Sequence, residues 1–164
     1  MSGPSHPPEL RGTGSDPRDG IRAMTHPQIR SALPEEADAV LAFWKESAEG
    51  TSVSDDVDGV TRLVERDPDA LILAVADGVI VGSVIAGWDG WRASLYRLAV
   101  LPSHRRRGIS TALLRAADER FAALGGRRVD AMVLEANETG RRLWTAAGYE
   151  RQDQWRRWVK PLDS

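Results

Sequence analysis

The chain has 164 residues, enough for one domain with a sizeable core, and 41% apolar with 28% charged residues is ordinary for a globular protein. Its 22 basic and 24 acidic residues give a formal net charge of −2, which argues against a general nucleic-acid binder. Cysteine is absent, so disulfides, thiolate catalysis and zinc–thiolate sites are excluded. The histidines (His6, His26 and His104) lack ligand spacing, so no metal site is expected. No apolar run nears the roughly 20 residues that cross a bilayer. The first residues also lack the apolar core of a signal peptide, so a soluble, cytoplasmic protein without a membrane partner is expected.

Residues 1–26 are rich in Gly, Pro, Ser and charge, and read as a disordered extension ahead of a domain over 27–164. A short strand is expected over 28–32. A helix follows from Pro34, with Ala37, Val40, Leu41, Trp44 and Ala48 on one face and Gly50 at its end. Ser54 is the expected N-cap of a second helix, with Asp55 and Asp56 in its first turn, Val57, Val60, Leu63 and Val64 facing inward, and Asp67-Pro68 stopping it. Strands over 71–76 and 79–86 flank Asp77-Gly78, a two-residue hairpin signal. A turn at Gly87-Trp88-Asp89-Gly90 leads into a strand over 91–100.

After Gly108 a helix should bury Ile109, Ala112, Leu113, Ala116, Phe121 and Leu124, and end at Gly125-Gly126. A strand is expected over 128–135, then a short helix capped by Asn137 and closed by Gly148. A last strand over 149–159 would place Trp155 and Trp158 on opposite faces, one in the core and one at a homodimer contact. The order β-α-α-β-β-β-α-β-α-β describes an α/β fold with a central mixed sheet.

The junction from Leu98 to Leu114 carries the chemistry. An apolar strand, Leu98-Ala99-Val100, runs into the basic turn Arg105-Arg106-Arg107-Gly108, and Ile109-Ser110-Thr111 opens a helix. Such a junction points unpaired N–H groups at one spot, where the helix dipole also favours negative charge. Gly108 permits close backbone approach, and the arginines supply charge-assisted hydrogen bonds. The arrangement suits a pyrophosphate. A merely solvated basic turn is the plain alternative. A nucleic-acid patch is disfavoured because no aromatic residues interleave with the arginines. A nucleotide P-loop is disfavoured because Lys followed by Ser/Thr is missing after Gly108.

These residues resemble the GCN5-related N-acetyltransferase (GNAT) family. Its signature at the start of this helix, Gln/Arg-x-x-Gly-x-Gly/Ala, stands here as Arg105-Arg106-Arg107-Gly108-Ile109-Ser110, with Ser in the last place. A second shared feature is Asn137 followed by Trp144 and the pair Gly148-Tyr149. The resemblance implies a GNAT-like fold with a splayed sheet, and acetyl-CoA as acyl donor without a metal. It also implies that a primary amine of a small-molecule or peptide acceptor attacks directly. Leu98, Ala99 and Val100 would then meet the pantetheine arm, as would Asn137, with Arg105, Arg106, Arg107, Gly108, Ile109, Ser110 and Thr111 around the pyrophosphate. The family's usual thiolate-protonating tyrosine is replaced by Trp144 on the cofactor side, so Tyr96, or else Tyr149, is expected to stand in. Glu135 is the candidate base. Trp88, Asp89, Trp91 and Arg92, joined by Trp44, form a candidate acceptor wall, against the plainer reading of a decorated hairpin turn and a core tryptophan. The rival function is a non-catalytic acyl-CoA sensor.

Overall fold

The structure, a computed structural model, describes residues 26–47, 52, 54–133 and 138–162. Five strands form one sheet in the order β1-β2-β3-β4-β5: β1 (Gln28–Ser31), β2 (Leu71–Ala76), β3 (Val79–Trp88), β4 (Ala93–Val100) and β5 (Val129–Ala131). The first four are antiparallel neighbours, and β5 lies parallel to β4 after a crossover through helix α3 (Ile109–Ala123). Helices α1 (Ala37–Ser47) and α2 (Val57–Arg66) precede β2, and α4 (Glu138–Ala146) follows β5. The expected mixed α/β architecture is observed.

Both sheet faces are covered, which is why β2 reads Leu-Ile-Leu-Ala-Val-Ala without polar alternation. Leu71 and Leu73 pack under α1 and α2 with Val40, Phe43, Val60 and Val64. Ile72 and Ala74 face the other way, toward Ile109, Leu113, Ala117, Phe121 and Trp144. The β2–β3 turn has Asp77 at φ 51° and Gly78 at φ 75°, the pair of positive angles that a tight hairpin twist demands. Gly82 lets α3 approach closely: a β-carbon there would sit 2.9 Å from Ile109 Cγ2 and 3.1 Å from Leu113 Cδ1.

Several local expectations are corrected. Residues 34–36 form a 3-10 turn ahead of α1, fixed by a two-pronged Arg30–Glu36 pair at 2.7 and 2.8 Å. Asp56, not Ser54, caps α2, its carboxylate accepting from Gly59 N at 2.7 Å. On α3 the buried stripe includes Leu114 and Ala117, while Leu124 is exposed. The last strand is not formed over 149–159; Trp155 and Trp158 are both exposed, at 69% and 94%. There, Arg151 pairs with Asp153, and Arg156 donates to the carbonyls of Asp153 and Trp155. These local bonds favour a turn over an extended ladder. The 1–26 extension (save His26), Ala48, Gly50, the end of the 128–135 strand and the Asn137 cap lie outside the described residues.

Candidate active site

The site is built where β5 leaves β4. The two strands pair only from Ala93↔Val129 to Leu95↔Ala131, with one further bond from Met132 N to Leu95 O at 3.3 Å. Beyond Leu95, β4 has no strand on that side among the described residues. Among the described residues this leaves the edge of β4 open from Tyr96 onward, where the sequence resemblance implied a splay.

A bulge decides which backbone groups face this gap. Ser83 pairs with Ala99 and Ile85 with Tyr96, so Arg97 and Leu98 together oppose Val84. Arg97 takes φ 53°, in the left-handed region. The extra residue reverses the parity of β4. Leu101 N donates to Val81 O at 2.9 Å, so Leu101 and Ala99 turn their amides toward β3. Leu98 and Val100 therefore turn theirs to the open edge. Arg105 Nε reaching Val100 O at 3.4 Å agrees with that orientation.

The bulge is held from the α1/α2 side. Trp44 Nε1 donates to Ser83 Oγ at 2.9 Å, and Ser83 Oγ–H donates to the Arg97 carbonyl at 2.8 Å. Ser83 is fully buried. The Arg97 guanidinium stands 5.5 Å from the Trp44 ring centroid and pairs with Asp55, just before α2. Trp44 thus sits beneath the bulge with its polar edge engaged. Composition gave no hint of Ser83 or Arg97; the available signal was one serine inside the apolar run Val81-Gly82-Ser83-Val84-Ile85.

Past Val100 the turn uses two left-handed residues, Arg106 at φ 64° and Gly108 at φ 77°. Alternation of this kind turns successive N–H groups inward to form an anion-binding nest at the N-terminus of α3. No side chain caps that terminus, and a β-carbon on Gly108 would meet nothing within 4 Å. Arg105, Arg106, Arg107 and Thr111 are exposed, Ser110 is half-buried and Ile109 anchors the helix in the core. Tyr96, 46% exposed, stands just before the bulge at the start of the open edge.

Trp144 is buried and meets the Tyr149 ring edge-on at 4.9 Å. The pair is set by the end of α4, where Tyr149 N donates to Trp144 O and Gly148 N to Thr145 O, with Gly148 at φ 92°. Burial, with the Asp118 carboxylate nearby, pushes the Tyr149 phenol up to about 12. Glu135 and Asn137 lie outside the described residues.

The candidate acceptor wall lies on the other side of Tyr96 from the basic turn. Trp88, Asp89, Trp91 and Arg92 stand at the start of β4, an eight-residue strand, and the basic turn follows its far end. At about 3.3 Å per residue that puts the start of β4 roughly 25 Å from the basic turn but only about 10 Å along the strand from Tyr96. Trp88 is half-buried and packs where Gly126 makes room. The Asp89 carboxyl accepts from Trp91 N and Arg92 N at 2.8 and 2.7 Å; these donors hold its pKa below the usual range. Arg92 stacks 4.3 Å above Trp91. A shallow cavity of about 470 Å³ lies there, lined by Trp88, Trp91, Arg92, Leu124, Arg127 and Arg128.

Residues 32–149 match the acetyltransferase (GNAT) family. The chain belongs to this family. An acetyltransferase of Pectobacterium atrosepticum is 32% identical over 126 residues, covering 77% of this chain and 89% of that protein. A Yersinia pestis protein named as an uncharacterized N-acetyltransferase is 31% identical over the same shares. Among solved structures, an aminoglycoside N-acetyltransferase in complex with CoA superposes with TM-score 0.67 at 23% identity, covering 84% of this chain and 96% of that one. The PaiA N-acetyltransferase of Thermoplasma acidophilum, in complex with coenzyme A, gives TM-score 0.67 at 18% identity over 77% and 91%. These two likenesses establish the GNAT fold. Among the described residues no group of acidic or histidine side chains is placed to hold a metal, and no helix is long and apolar enough to cross a membrane.

Proposed function

We propose that this GNAT protein is an acetyl-CoA-dependent N-acetyltransferase acting on a primary amine of a small-molecule or peptide acceptor. The observation that carries the reading is the continuity of two features. The open edge of β4, with the Leu98 and Val100 amides turned outward, runs into an uncapped helix N-terminus above Gly108 with clear space over it. A pantetheine arm fits the first as an added strand, and a diphosphate fits the second.

Bound acetyl-CoA supplies an activated thioester: the amine nitrogen bonds to its carbonyl carbon as the carbon–sulfur bond breaks. In this reading the chain's residues bind, orient and move protons. Leu98, Ala99, Val100 and Asn137 align the pantetheine, with Trp144 packed in the wall beside it. The turn from Arg105 through Thr111 neutralises the diphosphate. The N–H of Leu98 or Val100 donates to the carbonyl oxygen as charge grows there. Glu135 takes the proton from the amine, directly or through water, and Tyr96 gives one to the departing sulfur. Trp44, buried beneath the bulge, acts on the site only through Ser83 in this reading. The exposed Trp155 and Trp158 support a homodimer.

One observation favours a second reading, a non-catalytic acyl-CoA sensor: Trp144 replaces the family's tyrosine, and an indole N–H is not a practical acid. Free thiol released from acetyl-CoA across a panel of amines decides between them. The enzyme reading expects turnover on at least one amine, whereas tight coenzyme A binding with no turnover on any would favour the sensor. Gly108→Glu is expected to abolish coenzyme A binding, since it puts a carboxylate where the diphosphate would lie, at a φ that disfavours side chains. Calorimetry showing unchanged affinity would remove the site from this turn.

A further inference from the structure

Ser83 is a buried polar residue for which neither packing nor the overall fold gives a reason. Every other buried side chain on its stretch of β3 is apolar, and alanine or valine would suit the sheet as well. Its hydroxyl is nonetheless fully used. It accepts from Trp44 Nε1 at 2.9 Å and donates to the carbonyl of Arg97 at 2.8 Å, the left-handed residue of the bulge. We infer that Ser83 and Trp44 are positioning residues that hold the β4 bulge, and through it aim the Leu98 and Val100 amides into the cleft. The inference rests on the acyl-CoA reading for what those amides meet.

The geometry explains why a lock is needed. Without the extra residue, strand parity would turn the amides of Arg97 and Ala99 to the open edge, and those of Leu98 and Val100 back toward β3. The two registers place the site's donors about one residue apart. The bulged register also sets an arginine in a backbone conformation that side chains disfavour. The bond from Ser83 falls on the carbonyl of that residue. Trp44 fixes the hydroxyl's direction, because an indole N–H only donates and so leaves the serine proton to Arg97. The Arg97 guanidinium, paired with Asp55 beside the Trp44 ring, ties the same bulge to the segment before α2.

The test uses full-length ¹⁵N-labelled protein titrated with coenzyme A, with kcat measured in parallel on whichever amine is turned over. In the parent, coenzyme A should shift the amide resonances of Gly108, Leu98 and Val100. In Ser83→Ala the Gly108 response and the coenzyme A Kd should stay within about two-fold, while the Leu98 and Val100 responses collapse. kcat should then fall roughly 10- to 100-fold with little change in KM for the donor. Trp44→Phe keeps an aromatic side chain but removes the fused pyrrole ring together with its N–H; it should show the same pattern while Ser83 stays in place. Unchanged Leu98 and Val100 responses in Ser83→Ala would overturn the lock. Loss of the Gly108 response in both variants would also overturn it, since the effect would then be general. If coenzyme A moves no amide of the parent, the acyl-CoA reading itself fails.

Discussion

Tyr149 shows how a residue can be near a cleft and still be unsuited to work there. Its ring is clasped by Trp144, its pKa is pushed up to about 12, and the leading cause is burial, with Asp118 adding to it. A phenol that holds its proton so tightly is a poorer donor than an exposed one, which leaves Tyr96 as the tyrosine at the start of the open edge. The shift can be read directly. Tyr96→Phe leaves Tyr149 as the only phenol of a chain with two tyrosines. Its ultraviolet absorbance should then rise with a midpoint near 12. The sign for stability follows: the folded state holds this proton more tightly, so stability is intact below the unfolded value near 10 and declines as pH climbs through the folded one. A midpoint near 10 would place Tyr149 in water and return it to the list of candidate acids.

Elements tell a different story, because what the sequence reveals about them depends on how local their cause is. Asp77-Gly78, Gly125 and Gly148 stop or reverse the chain through their own backbone angles, so they were legible without any partner. The turn ending at Gly108 was legible for the same reason. The bulge at Arg97 was not, since it exists only relative to Val84 on the neighbouring strand. Nor was the Trp44–Ser83 bond, which joins residues 39 positions apart. That the hairpin tryptophans stand at the opposite end of β4 from the basic turn follows only from the direction of that strand. Gly82 belongs with the elements whose reason is tertiary. Gly82→Ala would press a methyl against Ile109 and Leu113 and push α3, with Gly108 at its tip, off the sheet. The expected loss is about 1–3 kcal/mol in a denaturant melt, with weaker coenzyme A binding alongside it. A neutral melt would mean that α3 can shift at no cost.

At the scale of the whole molecule, the cleft depends on two helical layers that never meet through the sheet. The α3/α4 layer supplies the basic turn, and the α1/α2 layer holds the bulge through Trp44. Their relative placement must be fixed by something that spans both, and Arg120 does so. From the last turn of α3 it donates to Ala86 O on β3 at 3.1 Å and to Asp67, the residue closing α2, at 2.6 Å. The side chains are only 14% and 29% exposed, so the pair is sheltered from much of the screening that weakens surface ion pairs. Arg120 also complements the dipole at the C-terminal end of α3. Arg120→Ala should therefore cost about 2 kcal/mol, because it strands the Asp67 carboxylate and the Ala86 carbonyl together. In calorimetry the melting temperature should fall by about 6 °C in a single transition. Asp67→Ala in the Arg120→Ala background should then cost clearly less than Asp67→Ala alone. Additive losses would show that the two helical layers are aligned by the sheet alone and that Arg120 is merely a surface cation resting over it.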